Sequence, residues 1–436
     1  MWFYLEVAYH LQLLLQHTHW KRDKLHRYQD QKLREIVHYA YEYVPFYHEK
    51  FKLSGMRPEQ IKSAADLRKL WIVGKKELQR NDKKLISTGI RLSSLKKVST
   101  TGSTGRPFST YVTEEEDAFR KAKFLRAYIA CGLRPRDIWA VIAAPIHEAV
   151  TGRVQRILGI FNPIPVSVFY DSTKQIAAIQ RIAPDVLDGY SSSLTLLARE
   201  VEKRDIGDIN PRIIIGGAEL IDNFDRRLVE RVFKAPFYDQ YACTELDRLS
   251  WQCGNRGEYH IDSDSVILQL VDKNGDDVAA GESGEIVCTS LFNHAMPFIR
   301  YAVGDRGRAS DEDTCPCGRT FPLMKMVEGR KDSTVVLLGG RMLSPLAIGD
   351  CMTFFKYIQS IGQYRVIQKK IDYFKFLVSK TNDGIEDSFL RAELLAHLRK
   401  TLNMPESEVT IDVEFVDEIP VDSTGKLSKV VSEVKS

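Results

Sequence analysis

The chain has 436 residues, 44% hydrophobic and 28% charged, with 62 Lys and Arg against 58 Asp and Glu and a net charge of +4. That length exceeds one ordinary domain, so a large core with at least one smaller unit is expected, and the composition is that of a soluble globular protein without long disorder. The near-even charge balance argues against a nucleic-acid partner, and seven cysteines, an odd number, exclude a secreted disulfide framework and fit reduced thiols in the cytoplasm.

Met1 to Gln16 is strongly apolar but interrupted by Glu6, His10 and Gln12. It has no basic leader and no small-residue cleavage site, so a signal peptide is not expected. It is also too short to span a bilayer. A helix packed on the body of the protein is expected. Peripheral membrane contact is the alternative, because Lys21, Arg22, Lys24 and Arg27 follow. Residues 20–90 read as helical, with a break at Val44-Pro45-Phe46-Tyr47. From Val98 the pattern changes. Ile138–Ala143, Val166–Phe169 and Ile213–Ile215 are predicted strands, and Glu116–Ala130 and Leu194–Lys203 predicted helices. Strands alternating with helices predict an α/β fold of layered sheets and helices. Residues 260–310 are more β-rich, with strands predicted at Ser265–Leu270 and Glu285–Cys288 between turns at Asn274-Gly275 and Gly281-Glu282. After Gly329-Arg330-Lys331-Asp332 the pattern restarts as a compact α+β segment. The boundary is therefore placed at Asp332: a large domain of 1–331, opening with a helical segment 1–90, and a small one of 332–436.

Ser99-Thr100-Thr101-Gly102-Ser103-Thr104-Gly105-Arg106-Pro107 is the most informative local run. Two glycines free the backbone to turn N–H groups inward, the hydroxyls can donate to phosphate oxygens, and Arg106 adds charge, which is how a loop cradles a polyphosphate. No Gly-Lys-Ser/Thr follows, so this is not the loop of the nucleoside triphosphatases. By itself the run reads equally well as a polar surface turn.

Downstream come Gly216-Gly217-Ala218-Glu219-Leu220, Asp239-Gln240-Tyr241-Ala242-Cys243-Thr244-Glu245, Tyr301-Ala302-Val303-Gly304-Asp305, Gly329-Arg330-Lys331-Asp332 and Ser423-Thr424-Gly425-Lys426-Leu427. With the phosphate loop, this ordered set resembles the motifs of the acyl-adenylate-forming superfamily. Asp188-Gly189-Tyr190-Ser191-Ser192-Ser193-Leu194, Tyr364-Arg365-Val366-Ile367-Gln368 and Cys315-Pro316-Cys317-Gly318-Arg319 make it most similar to the phenylacetate–CoA ligase and capsular-polysaccharide adenylation branch. The sequence departs from the usual pattern at Ala242, where Gly is common, and at Lys429, where Arg often stands.

The resemblance implies an enzyme that activates a carboxylic acid with ATP as acyl-AMP, releases pyrophosphate, and passes the acyl group to CoA. Two anions meet in that reaction, so the site must neutralise charge and hold the groups in line. Glu245 would hold Mg²⁺ and Thr244 the α-phosphate, with Thr100, Thr101, Gly102, Ser103, Thr104 and Gly105 around the outgoing phosphates. Asp305, backed by Arg330, would take the ribose. Tyr241 would stack on adenine with Asp239 at its amino group, and Gly217, Ala218 and Glu219 belong to the adjoining wall. Lys426 would bridge the acyl carboxylate and ATP as a mobile charge, the small domain being expected to rotate about a hinge at Asp332. After that rotation Gly339-Gly340-Arg341 would help admit the thiol. An aromatic or apolar acid would lie near Pro145, His147, Tyr190 and Gly216, with His147 either bonding the substrate or packing.

Cys315-Pro316-Cys317 puts two thiols one residue apart, and Cys253 and His260 lie upstream. Together they form a Cys₃His set suited to structural Zn²⁺, the alternative being unmetallated thiols in a turn. Two other readings stay open. The acyl acceptor could be an amine, an amino sugar or a carrier-protein thiol, or the chain could be a non-catalytic, zinc-stapled binding protein. The oligomer is open, a homodimer included.

Overall fold

The computed structural model describes residues 2–99, 108–143, 153–255, 257–330, 335–338, 342–343, 345–381, 384–421 and 427–434. By compactness the chain divides into two units, each of two stretches: Met1–Gly132 with Tyr238–Val327, and Leu133–Phe237 with Glu328–Ser436. The expected boundary at Asp332 lies outside the described residues.

The first stretch carries α1 (Trp2–His17), α2 (Arg22–Tyr43), α3 (Pro45–Ser54), β1 (Val73–Gly74), α4 (Lys75–Arg80), β2 (Lys96–Ser99), β3 (Ser109–Val112) and α5 (Glu114–Cys131). Local chemistry fixes the ends. α3 starts on Pro45, whose missing N–H costs nothing there, and stops at Gly55 in the left-handed region at φ 66°. α5 starts two residues before its predicted start because a capping box sets the start: Thr113 accepts the Glu116 N–H, and the Glu116 carboxylate accepts the Thr113 N–H. α1 packs on α5, with His10 edge-on to Phe119 at 5.3 Å and Leu14 and His17 buried. Trp2, Leu5 and Tyr9 remain exposed.

The second stretch alternates β4 (Trp139–Ala143), α6 (Arg153–Leu158), β5 (Pro163–Ser167), α7 (Ser172–Ile182), β6 (Val186–Tyr190), α8 (Ser191–Lys203), β7 (Ile213–Gly217) and α9 (Asn223–Phe233). The four strands are parallel in the order β7-β6-β4-β5. Helices cover them, and β6 is buried at every position although it carries Asp188 and Gly189. β5 begins three residues before the predicted strand and stops short of Phe169. Pro163 and Pro165 are tolerated because β5 is the edge strand of this set. Ile142, Leu187, Leu194, Ile214, Val229 and Phe237 form its core.

The third stretch is antiparallel: β8 (Phe237–Cys243), β9 (Asp247–Trp251), β10 (Tyr259–Ile261), β11 (Val266–Val271), β12 (Ser283–Ser290), β13 (Tyr301–Ala309) and β14 (Leu323–Arg330). Their order is β11-β12-β13-β14-β10-β9-β8, and β1 adds beside β13. Gly304-Asp305 is not in a turn. It lies inside β13, where Gly304 takes φ 89° and the pairing with β12 shifts between Glu285 and Val287.

The last stretch holds β15 (Val335–Val336), β16 (Met342–Leu343), α10 (Pro345–Thr353), β17 (Ile361–Lys370), β18 (Tyr373–Lys380), α11 (Asp387–Thr401), β19 (Thr410–Phe415) and β20 (Val430–Ser432). The last four strands form a sheet in the order β19-β18-β17-β20, and Val366, Phe376, Leu390, Leu394, Leu398 and Val413 share one core. The segment is α+β and the whole chain α/β, as the sequence predicts.

The buried face of α5 carries charges among its apolar residues. Lys123 and Arg126 are fully buried. Arg126 pairs with Asp262 and, at 2.5 Å, with Asp264, and Lys123 lies 3.5 Å from Asp262. His17 meets the same Asp264 at 2.9 Å, and the Trp251 indole donates to Asp262 at 3.0 Å. Burial makes each member dependent on the others, because an uncompensated interior charge costs far more than the pair contributes. Asp262→Ala is expected to lower unfolding free energy by about 3–5 kcal/mol, read from urea denaturation. The exposed Lys369–Glu433 pair serves as control, with Glu433→Gln costing below about 1 kcal/mol. Equal small losses from both would show that the buried cluster holds nothing.

Candidate active site

In the first unit, four expected site residues converge around one hairpin. β8 delivers Tyr241, the β8–β9 connection holds Thr244 and Glu245, and β13 delivers Asp305. The Tyr241 hydroxyl donates to Asp305 Oδ2 at 2.8 Å. Burial and the Asp305 charge push the Tyr241 phenol well above its ordinary range, so it stays a donor. Glu245 is buried, and its Oε1 accepts the Tyr301 hydroxyl at 3.0 Å.

The same oxygen lies 3.2 Å from Lys75 Nζ, at the first residue of α4. Lys75 is a site residue that sequence reasoning missed. Its only sequence signal is a basic pair, Lys75-Lys76, which reads as an ordinary solvated helix start.

The hairpin tip is held by its carbonyls. Arg120 donates to Thr244 O at 2.9 Å, Asn293 to Glu245 O at 3.4 Å, and Lys123 to Leu246 O at 3.4 Å. Glu116, whose first contact is its own cap, also accepts the His294 and Ala295 N–H groups beside Asn293. Three consecutive carbonyls thus face donors, two of them from α5. Asp239 sits lower on β8 and is satisfied within the sheet. Its carboxylate accepts the Tyr259 hydroxyl and the Gln240 N–H.

In the second unit, β6 and β7 end side by side, with Tyr190 opposite Gly217 and Gly189 opposite Gly216. A Cβ on Gly216 would meet the Phe237 ring at 2.1 Å, so only glycine fits there. Ala218 takes φ 64°, a strained conformation for a residue with a side chain. Glu219 follows. Its Oε2 accepts the Ser192 N–H at 3.0 Å at the start of α8, and its Oε1 accepts the Leu427 N–H at 2.9 Å. Tyr190, Gly216, Gly217, Ala218 and Glu219 are therefore brought together.

Near them is an ion cluster that the sequence did not announce. Lys429 Nζ lies 2.6 Å from Asp222 and also pairs with Asp225. Tyr364 donates its hydroxyl to Asp222 Oδ2 at 2.9 Å, and Arg199 donates to Asp225 Oδ1 at 2.9 Å. Burial opposes the charge on Lys429, but the two carboxylates outweigh it and hold the ammonium above its ordinary value.

Several expected residues lie outside the described ones: Thr100, Thr101, Gly102, Ser103, Thr104, Gly105, Pro145, His147, Asp332 and Lys426, with Gly339-Gly340-Arg341. Arg330 ends β14, and its side chain is likewise outside.

Cys253, His260, Cys315 and Cys317 form a separate cluster in the first unit, with all four ligand atoms within 4.8 Å of one another. Cys253 and Cys315 Sγ are 3.6 Å apart, and Cys317 Sγ is 3.4 Å from His260 Nε2. Zinc–sulfur bonds of about 2.3 Å in a tetrahedron put sulfurs about 3.8 Å apart, so these edges fit that ion. Burial, then the Arg319 charge, lowers His260 to about 4, leaving a neutral ring suited to ligation. Trp251 stacks on that ring at 4.8 Å.

No family model matches the chain. It is 27% identical over 334 residues to a phenylacetate–coenzyme A ligase of Thermus thermophilus, covering 73% of each chain. It is 26% identical over 329 residues to the enzyme of that name in Escherichia coli, covering 73% of this chain and 74% of the other. It is 22% identical over 420 residues to Protein CapK of Staphylococcus aureus, covering 93% and 89%. Among solved structures, a 2-hydroxyisobutyryl-CoA ligase with a bound acyl-AMP in its postadenylation state matches with a TM-score of 0.80 at 18% identity, over 96% of this chain and 91% of the other. In sequence and fold alike, the comparisons return the superfamily and branch that the motifs resemble.

Lys75→Met leaves the buried Glu245 carboxylate with Tyr301 and no cation. It is expected to cost about 1.5–3 kcal/mol near neutral pH, the value of a charge-assisted bond to a buried group, read from the urea midpoint. A cost no larger than that of a solvent-facing Lys76→Met control would mean that the pair is incidental.

Proposed function

We propose that this chain is an ATP-dependent acid–CoA ligase: it joins a carboxylic acid to AMP, releases pyrophosphate, and transfers the acyl group to the CoA thiol. The observation that carries the reading is the Tyr241–Asp305 hydrogen bond beside the Thr244–Glu245 tip. It joins residues 64 apart in sequence, and it sits in a chain similar to named CoA ligases over most of its length.

In this reading Asp305 accepts the ribose hydroxyls with Arg330 behind it, Tyr241 stacks on adenine with Asp239 beside it, and Gly217, Ala218 and Glu219 wall the nucleotide. Thr244 donates to the α-phosphate. The 99–107 loop, through Thr100, Thr101, Gly102, Ser103, Thr104 and Gly105, holds the departing phosphates. Glu245 holds Mg²⁺, which would neutralise the phosphate oxygens. Lys75, 3.2 Å from Glu245, would supply a second positive charge beside the phosphates. Lys426 bridges the acyl carboxylate and the α-phosphate, raising attack by charge and alignment. The domain of 332–436 turns about Asp332 between the two steps, and Gly339-Gly340-Arg341 meets the thiol. An aromatic or apolar acid lies against Tyr190 and Gly216, with Pro145 and His147 closing its pocket.

A second reading of the acceptor stays open, because the match to Protein CapK, which spans 93% of this chain against 73% for the phenylacetate–CoA ligases, is to a protein whose name carries no CoA. In that reading acyl-AMP passes to an amine, an amino sugar or a carrier thiol. Phenylacetate, benzoate, fatty and amino acids with ATP and Mg²⁺, with and without CoA, separate the two by pyrophosphate release and product mass. Acid-dependent release is expected, with CoA accelerating turnover. Lys426→Ala is expected to slow release about a hundredfold or more with an unchanged melting curve. No acid-dependent release across the panel removes the adenylation reading, and CoA without effect on any productive acid removes its second half.

The cysteine cluster is proposed to bind one structural zinc, which staples the turn before β14 to β9 and β10. The fit of its donor spacing supports this. Metal analysis of protein purified without chelator should find about one zinc per chain, and stripping it should lower the melting temperature. A folded sample with no zinc, unaltered by chelator, would show reduced thiols instead. The working location is the cytoplasm; among the described residues no helix is long and apolar enough to cross a membrane. The exposed Trp2, Leu5 and Tyr9 with nearby basic residues support peripheral membrane contact as a secondary role.

A further inference from the structure

Three carboxylates on one short segment, Glu219, Asp222 and Asp225, all face the chain just after the expected catalytic lysine. Glu219 takes the Leu427 N–H, and Asp222 and Asp225 take Lys429. Leu427 is buried between these two contacts. Every acceptor of Asp222 is committed: Oδ1 to the Asp225 N–H as the cap of α9, and Oδ2 to Tyr364 and Lys429. α10 closes the same spot, since a Cβ on Gly349 would lie 2.6 Å from the Asp222 Cβ. Two cations, Lys429 and Arg199, balance two carboxylates, Asp222 and Asp225. Without Lys429 the carboxylates are left with one cation and repel each other in a buried place. The segment 427–429 is therefore drawn into one seat on the 219–225 segment, by charge at one end and by a backbone hydrogen bond at the other.

We propose that Glu219, Asp222 and Asp225 form a dock for residues 427–429, with Lys429 as its key, and that docking positions the preceding lysine loop for acyl-adenylate formation. This rests on the proposed function. Lys429 is a positioning residue: it touches no substrate and acts by fixing the residues that follow Lys426. Its placement explains why a lysine can stand where the resembling sequences often have arginine. The requirement is one cation shared between two carboxylates, not a planar fork. A small pocket bordered by Ser192, Thr195, Gln363 and Leu427 adjoins it.

The test compares wild type, Lys429→Met, Lys429→Arg and Tyr364→Phe as full-length chains. Two half-reactions are timed separately: pyrophosphate release from ATP with phenylacetate, or with the fastest acid of the panel above, and thioester formation from the matching synthetic acyl-adenylate and CoA. Hydrogen exchange of the Leu427 amide is followed without any substrate. For Lys429→Met we expect release slowed by about thirtyfold, thioester formation kept at the wild-type rate, and faster Leu427 exchange. Lys429→Arg should restore most of the release rate, and Tyr364→Phe should give a smaller loss of the same kind. Equal slowing of both half-reactions, or Leu427 exchange unchanged in Lys429→Met, overturns the dock. If Lys429→Met does not fold, Tyr364→Phe and Lys429→Arg decide by the same two readouts. Wild type without acid-dependent release removes the functional reading instead, while the exchange result still decides whether the seat exists.

Discussion

Everything proposed for the first unit depends on one buried arrangement of charge along α5. Glu116, Arg120, Lys123 and Arg126 follow one another at helical spacing, and each is spent on a backbone group or a buried acid rather than on water. The helix is anchored at its start by the Thr113 cap and held deeper by Asp262 and Asp264. Between these fixed points it meets the carbonyls of Thr244 and Leu246. A tight connection between antiparallel strands leaves such carbonyls without ladder partners, and in a buried place each must find a donor. Supplying those donors from a rigid helix rather than from water fixes the tip. Thr244 and Glu245 are therefore held before any ligand arrives, which lowers the ordering cost that a site on a loose loop would carry at each turnover.

The second unit solves a related problem with the signs reversed. There the backbone groups to be satisfied are N–H donors, at the start of α8 and at Leu427, and the Glu219 carboxylate serves both. A carboxylate at a helix start is favoured by the exposed N–H groups and the helix dipole. The strained Ala218 just before it is part of the same device. Its left-handed backbone turns the chain sharply off β7, and the conformation persists because Gly216 on one side and Glu219 on the other are both fixed.

What was legible in the sequence was what is local or compositional. Three of the four parallel strands, β4, β5 and β7, showed as apolar runs, α5 as a periodic segment, and the motif residues as short strings whose order carried meaning, whereas β6, with Asp188 and Gly189 inside it, did not show as a strand. The set of Cys253, His260, Cys315 and Cys317 was legible because cysteines are few and two of them stand one residue apart. What was not legible came from pairs distant in the chain. Nothing near Lys75 announces Glu245, and nothing near Lys429 announces Asp222, because such pairs are made by folding and leave no periodic trace. The α5 charges mislead more directly. A helix with Glu, Arg and Lys on one face reads as solvated, and only the positions of Asp262, Asp264 and the hairpin tip turn that face inward. Gly304-Asp305 misleads the other way, since the glycine suggests a turn where the chain keeps a bulged strand. The bulge changes the register beside Asp305, which shows why a positive-φ glycine in a strand can be a placement device rather than an ending.

Charge balance ties these observations to chemistry. The site proposed for ATP and a carboxylate must accept several negative charges, yet it contains Glu245 and Asp305, which are themselves acidic. Left alone, the buried Glu245 carboxylate and the half-buried Asp305 carboxylate would destabilise the fold and repel the nucleotide. The structure separates the cases. Asp305 receives a neutral donor, the Tyr241 hydroxyl, and in the proposed reading a ribose hydroxyl would replace or join it without changing the charge. Glu245 receives a cation, Lys75, together with the neutral Tyr301. In the proposed reading Glu245 would hold the divalent ion that accompanies the phosphates, and Lys75 beside it would add a positive charge for the same anion. Desolvation of an isolated ion in a protein interior costs several kcal/mol, about the size of the differences that separate an active site from an inert one. Holding a lysine against the buried Glu245 carboxylate avoids that cost. It also makes the ligand-free site stable for the same reason that it is ready.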